Sequence, residues 1–109
     1  MQPHPPPDLL FKTLADPTRR ALFERLCREG ERTVGDLTAQ AGVSQPAVSK
    51  HLAALKLAGL VRDRQAGRRT HYSAQLDALG PLVDWTRRMA GFWEGRLDKL
   101  EDLLNRMDQ

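Results

Sequence analysis

The stretch GVSQPAVSKHLAALKLAGLV, residues 42–61, sets Val48, Leu52 and Leu55 at helical spacing, so one face of it belongs to a core. Ser44 stands where an N-cap is needed, and Pro46 falls in the first turn, where no intrahelical N–H bond is lost. Gly59 marks the end of the helix. The opposite face carries Pro46, Lys50 and Ala53, flanked by Gln45 and Ser49. It is small and polar, as a helix must be to enter a DNA major groove about 12 Å wide. Gln can bond adenine bidentately, Lys can meet guanine O6 and N7 or a phosphate, and Ser is a short donor and acceptor.

Upstream, Thr33 can cap a shorter helix, VGDLTAQA, in which Val34, Leu37 and Ala41 share a face and Gly42 ends the run. Val43 is expected to turn into the core before Ser44. Two short helices joined at a glycine form a helix-turn-helix unit. Ahead of it lie a short helix over Leu9–Ala15 and a second one opened by Asp16 as cap and Pro17 as first residue. The second helix turns Leu22, Phe23 and Leu26 inward and stops near Gly30.

Downstream the period changes. LVRDRQAGRRTHYSA, residues 60–74, reads as a β-hairpin turning at QAGR, with Gly67 suited to positive φ. Its arginines Arg62, Arg64, Arg68 and Arg69 have only Asp63 set against them. A single turn at LDAL and a break at Gly80–Pro81 precede a long helix from Pro81 to about Met107. The fold class that follows is mainly α with a small β-hairpin wing: a winged helix-turn-helix of about five to six helices.

This order implies a double-stranded DNA partner. The candidate DNA-binding residues are Thr33, Ser44, Gln45, Pro46, Ser49, Lys50, His51, Arg68 and Arg69, the two arginines reaching for phosphates or an adjacent minor groove. Each residue taken alone also fits an ordinary solvated face. The glycine turn, the Ser44 cap and the wing together are what point to DNA.

Composition agrees. The 109 residues carry 17 Lys and Arg against 14 Asp and Glu, a formal charge of +3 and a pI near 9.5, which favours a polyanionic partner. The one cysteine, Cys27, excludes an intrachain disulfide and, with no Cys-x-x-Cys pair, suggests a reduced cytoplasmic setting. No secretory signal pattern and no apolar run near the ~18 residues of a membrane span is present. MQPHPPPD, residues 1–8, with four of the seven prolines, reads as a loose tail, leaving residues 9–109 as one domain. No nucleophile elbow, phosphate-cradling glycine loop or metal-spaced carboxylate pair marks an enzyme.

The last helix is apolar over a wide arc. Trp93, Leu97, Leu100, Leu104 and Met107 follow a 4-3-4-3 spacing, beside a second stripe of Leu82, Trp85, Met89 and Phe92. One small domain cannot easily cover both, so a second copy of the chain is expected on this helix.

Three segments, LADPTRRALFERL, TVGDLTAQAGVSQPAVSKHLAALKLAGLV and GRRTHYSA, closely resemble the ArsR family of bacterial winged-helix repressors over about Leu9–Leu104. The resemblance implies a homodimeric repressor, its first and last helices forming the interface, here Leu10 and Leu14 together with Leu82, Trp85, Met89, Phe92, Trp93, Leu97, Leu100 and Leu104. By motif position it implies DNA contacts from Gln45, Pro46, Ser49 and Lys50. Many members sense metals through a CVCDL segment, but this chain has Thr33 and Gly35 where the thiolates would stand. A second family site uses Asp and His on the last helix, and no histidine follows His71. The expectation is therefore a non-metal branch with no cofactor, and no effector can be named.

Two alternatives remain open: a metal- or thiol-switched sensor on the same fold, and a winged helix serving only protein interaction. His4, His51 and His71 fall on tail, reading helix and wing, and form no obvious ligand set. Cys27 is expected as a small buried hydrophobe; a redox role would need its pKa lowered by Arg25 and Arg28.

Overall fold

A computed structural model describes residues 6–107. Helix α1 (Asp8–Leu14) is followed by α2 (Pro17–Glu29), strand β1 (Arg32–Thr33), α3 (Val34–Ala41), α4 (Gln45–Leu57), strands β2 (Val61–Ala66) and β3 (Arg69–Ala74), a 3-10 turn (Leu76–Leu79) and the long α5 (Gly80–Met107). His4 and most of the expected proline-rich tail lie outside the described residues. Asp8, assigned to that tail, opens α1 instead.

Local chemistry sets most of these boundaries. The Asp16 carboxylate accepts the Arg19 backbone N–H at 3.0 Å, and Pro17 begins α2. Thr33 and Asp36 form a reciprocal capping box on α3, the Asp36 N–H donating to Thr33 Oγ1 at 3.1 Å. Ser44 Oγ accepts the Ala47 N–H at 3.3 Å. Helix α4 closes with two bonds of a Schellman motif, Gly59 N–H to Lys56 C=O and Leu60 N–H to Leu55 C=O, both at 2.9 Å, with Gly59 at φ +77°.

The hairpin reverses at Gly67 and Arg68, between the paired residues Ala66 and Arg69. Gly67 has φ +65° and Arg68 lacks positive φ, the pattern of a type II′ turn, whose twist suits a two-residue hairpin loop. The wing is wider than a hairpin. Strand β1 pairs with β3, giving a three-stranded antiparallel sheet in the order β1-β3-β2, with Thr33 opposite His71 and Arg64 also opposite His71.

The core lies where α2, α3, α4 and the base of the sheet converge. Val48, Leu52 and Leu55 are fully buried, together with Leu26, Leu37 and Leu60. Burial of each such side chain contributes about 1.5–3 kcal/mol relative to exposure. Leu10, Leu22, Phe23 and Val61 complete the cluster. Val43 does not turn inward as expected: it is 37% exposed, because the left-handed Gly42 carries the chain over the surface before Ser44 caps α4.

Gly80–Pro81 does not break the chain either. Gly80 is helical, at φ −47° and ψ −51°, and the 3-10 turn runs directly into α5, where Pro81 costs no bond in the first turn. Helix α5 has 28 residues, about 42 Å of rise, and none of them is buried. The chain measures 72 × 36 × 21 Å, and its radius of gyration of 19.6 Å far exceeds the roughly 13 Å of a compact chain this long. The excess is the outer half of α5, exposed at every position from Ala90 to Met107. Among the described residues no helix is long and apolar enough to cross a membrane.

Candidate nucleic-acid interface

The face of α4 opposite its buried stripe is open to solvent at Gln45, Pro46, Ser49, Lys50 and Ala53. The packing of Val48, Leu52 and Leu55 fixes the rotation of the helix, so these five are held outward. Ser44 is exposed as well, but its hydroxyl holds the helix start.

The wing tip comes back to that helix start. Gln45, Arg68, Arg69 and Thr70 share an open polar groove of about 490 Å³ with Thr33, Val34, Gly35 and Asp36 at the beginning of α3. Residues from α3, α4 and the wing thus meet at one surface. Gln65 Nε2 donates to Thr70 Oγ1 at 2.6 Å across the hairpin, which stiffens the tip. Thr33 contributes differently from expectation: it is buried at 8% exposure with Oγ1 engaged by Asp36, so it supports the groove as a cap rather than as a free side chain. Hydrogen bonds from Thr33 hold the Asp36 carboxyl below the usual range, and Arg32 and Arg69 add to this electrostatically.

His51 sits at the edge of α4, half-buried, with Nδ1 shut away from solvent and no hydrogen-bond partner among the described residues. Its inner edge faces the protein, near enough to Asp16 to act on that carboxyl electrostatically. The Asp16 pKa is lowered chiefly by the Arg19 N–H bond.

The charge balance of the wing needs correction. Arg64 is not free: Nε and Nη2 donate to Glu31 at 2.9 and 2.5 Å, a bidentate pair, and His71 Nδ1 lies 3.6 Å from the same carboxylate. The Arg64 hydrogen bond in turn holds the Glu31 carboxyl below its ordinary pKa. Asp63 answers Lys56 at the end of α4, at 3.1 Å, rather than the wing arginines. Glu31 was not legible as a functional residue; it follows Gly30 in a turn, and only the β1–β3 pairing brings it to the wing.

A second surface runs along α5. Phe92, Trp93, Leu97, Leu100 and Leu104 are 66, 64, 57, 51 and 52% exposed. Met89 is half-buried, and Trp85 meets Phe11 edge-on with ring centroids 4.9 Å apart. Leu10, expected at the interface, is 6% exposed and packs in the chain's own core, with Leu14 and Leu82 against that core. Leu9 and Phe11 are the large apolar residues that α1 exposes, at 51 and 38%.

Cys27 is exposed, not buried. Partial desolvation pushes its thiol pKa up, Glu24 adds to the rise, and Arg28 only opposes it. That is the reverse of an activated thiolate. Arg25, the other expected activator, instead bonds Glu29 and the carbonyls of Asp36 and Leu37.

A capped three-helix core, a glycine turn and a wing bent back onto the exposed helix invite comparison with known regulators. The model of the arsR family of bacterial regulatory proteins matches residues 16–63, from the Asp16 cap to the first wing strand. The HTH-type transcriptional regulator Rv2034 of Mycobacterium tuberculosis is 46% identical over 91 residues, covering 79% of this chain and 84% of that protein. The chain belongs to the ArsR family. It is a transcriptional regulator built on the winged helix-turn-helix DNA-binding fold. Among other ArsR-like relatives, the transcriptional repressor SdpR of Bacillus subtilis is 34% identical, covering 70% of this chain and 83% of that one. The homodimeric winged helix-turn-helix DNA-binding domain Mb0332 of Mycobacterium bovis superposes with a TM-score of 0.62 at 29% identity, covering 77% of each chain.

Proposed function

We propose that this regulator is a homodimeric repressor that occupies an inverted-repeat operator. Gln45, Ser49 and Lys50 meet base edges in the major groove, and Arg68 and Arg69 hold phosphates beside them. The observation that carries this reading is the polar groove joining Gln45 to both wing arginines, since it gathers a side chain able to bond a base edge and two cations on one surface. Repression is supported by SdpR, a repressor by name, and by the family.

The homodimer is supported by the open apolar stripe of α5 and by the homodimeric M. bovis domain. A contiguous stripe of Trp93, Leu97, Leu100 and Leu104 is the sort of surface that monomers rarely leave in water. A two-fold pairing sets two copies of α4 in successive major grooves, so half-sites stand about 34 Å apart or at a multiple of that. Sedimentation combined with a footprint on the chain's own upstream DNA tests both parts. A dimer protecting two inverted half-sites is expected; a monomer at micromolar concentration, or protection of a single half-site, would overturn it.

A further inference from the structure

We propose that Glu31 limits the sequence-independent DNA affinity of the wing by holding Arg64, so that a cation on the same face as Arg69 is withdrawn from the phosphate backbone. The inference rests on the DNA-binding reading above and concerns which charges of the wing take part in it.

The register supplies the geometry. Arg64 pairs with His71 and Ala66 with Arg69, so Arg64, His71 and Arg69 share one face of the β2–β3 ribbon. Free, Arg64 would extend the cationic strip from the tip toward the base. One edge of its guanidinium is instead engaged, Nε and Nη2 donating to the two Glu31 oxygens at 2.9 and 2.5 Å. His71 Nδ1 lies 3.6 Å from that carboxylate, and its Cα also pairs with Thr33, which caps α3. The brace therefore joins the α2–β1 turn to both long wing strands. Phosphate contacts add affinity for every sequence and discriminate none, so one cation withheld lowers binding to every duplex alike and leaves the base contacts of α4 untouched.

Salt dependence separates this role from a merely structural one. Each phosphate neutralised adds about 0.9 to the slope of log affinity against log salt. The affinity of wild type, Arg64→Ala, Glu31→Gln, Glu31→Asp and Arg68→Ala for a random duplex is measured across a salt series, with thermal melting of each variant. The expected results are an unchanged slope for Arg64→Ala and a slope steeper by about 0.9 for Glu31→Gln. Glu31→Gln also binds random DNA several-fold more tightly at low salt, and Glu31→Asp behaves as wild type. A slope flattened by Arg64→Ala would show Arg64 already on a phosphate and overturn the proposal. So would Glu31→Gln binding more weakly at unchanged slope. Arg68→Ala identifies the other failure: if it too leaves the slope unchanged, or if wild type binds no duplex, the DNA-binding reading of the wing falls and this proposal with it.

Discussion

Phe11 of α1 and Trp85 of α5 meet edge to face, centroids 4.9 Å apart and ring planes at 82°. The contact joins the first helix to the last on the chain's own body, and a few residues beyond it α5 leaves the protein altogether. Along α5, Leu82, Trp85 and Met89 are half-buried on the chain's own body, and every position from Ala90 to Met107 is exposed.

Such an aromatic pair contributes about 0.5–1.5 kcal/mol beyond its area. A double-mutant cycle of Phe11→Leu and Trp85→Leu, read by denaturant unfolding at fixed protein concentration, should return a coupling in that range. Additive losses would mean that the two helices are held by other contacts.

The outer half of α5 contributes no residue to the core cluster. Leu97→Glu with Leu100→Glu should therefore leave a folded winged domain, with near-native helix content, while converting dimers to monomers and removing operator affinity. Unfolding of the variant would show that the outer helix stabilises the domain itself; undiminished dimers would place the interface elsewhere.

Asp16, Glu31 and Asp36 all have carboxyl pKa values lowered in the folded chain, by the Arg19 backbone N–H, the Arg64 hydrogen bond and the Thr33 hydrogen bonds respectively. A lowered folded-state value stabilises above the unfolded pKa, about 4 for a carboxyl, and that stability is lost as pH falls through the folded value. Unfolding midpoints should be level near neutrality and drop below about pH 4. Asp36→Asn should flatten the acid limb; an equally steep limb in that variant would assign the effect to other groups. Thr33→Ala, which deletes the cap at neutral pH, should cost about 1 kcal/mol.

Cys27 combines exposure with a raised pKa. Alkylation at neutral pH should be no faster than for an unactivated thiol, and Cys27→Ser should bind operator like wild type, with or without arsenite or zinc. Release of DNA at stoichiometric metal, abolished by Cys27→Ser, would reinstate the sensor alternative.

The parts of the fold that were legible are those written in local signals. Ser44, Asp16 and Thr33 are caps because their short side chains reach N–H groups three residues on. Gly59 and Gly67 mark bends that need positive φ. The face of α4 followed from three apolar residues, all fully buried. What escaped depended on distant partners. Strand β1 has two residues and exists only through pairing with β3, so it leaves no period to detect. Glu31 and Arg64 are far apart in sequence. The resemblance alone implies Leu10 at an interface; helix α1, with Leu9, Leu10, Phe11 and Leu14, is apolar on several sides, and only packing shows that Leu10 faces the chain's own core. Of the candidate DNA-binding residues, the exposed face of α4 could be read from periodicity, whereas the return of Arg68 and Arg69 to Gln45 required the sheet.

The most direct test is the affinity of Gln45→Ala for the operator and for a scrambled duplex of equal length, at one salt concentration. If Gln45 reads a base, the loss should be about 1–3 kcal/mol on the operator and negligible on the scrambled DNA. Equal losses on both duplexes would make Gln45 a backbone contact and contradict the account.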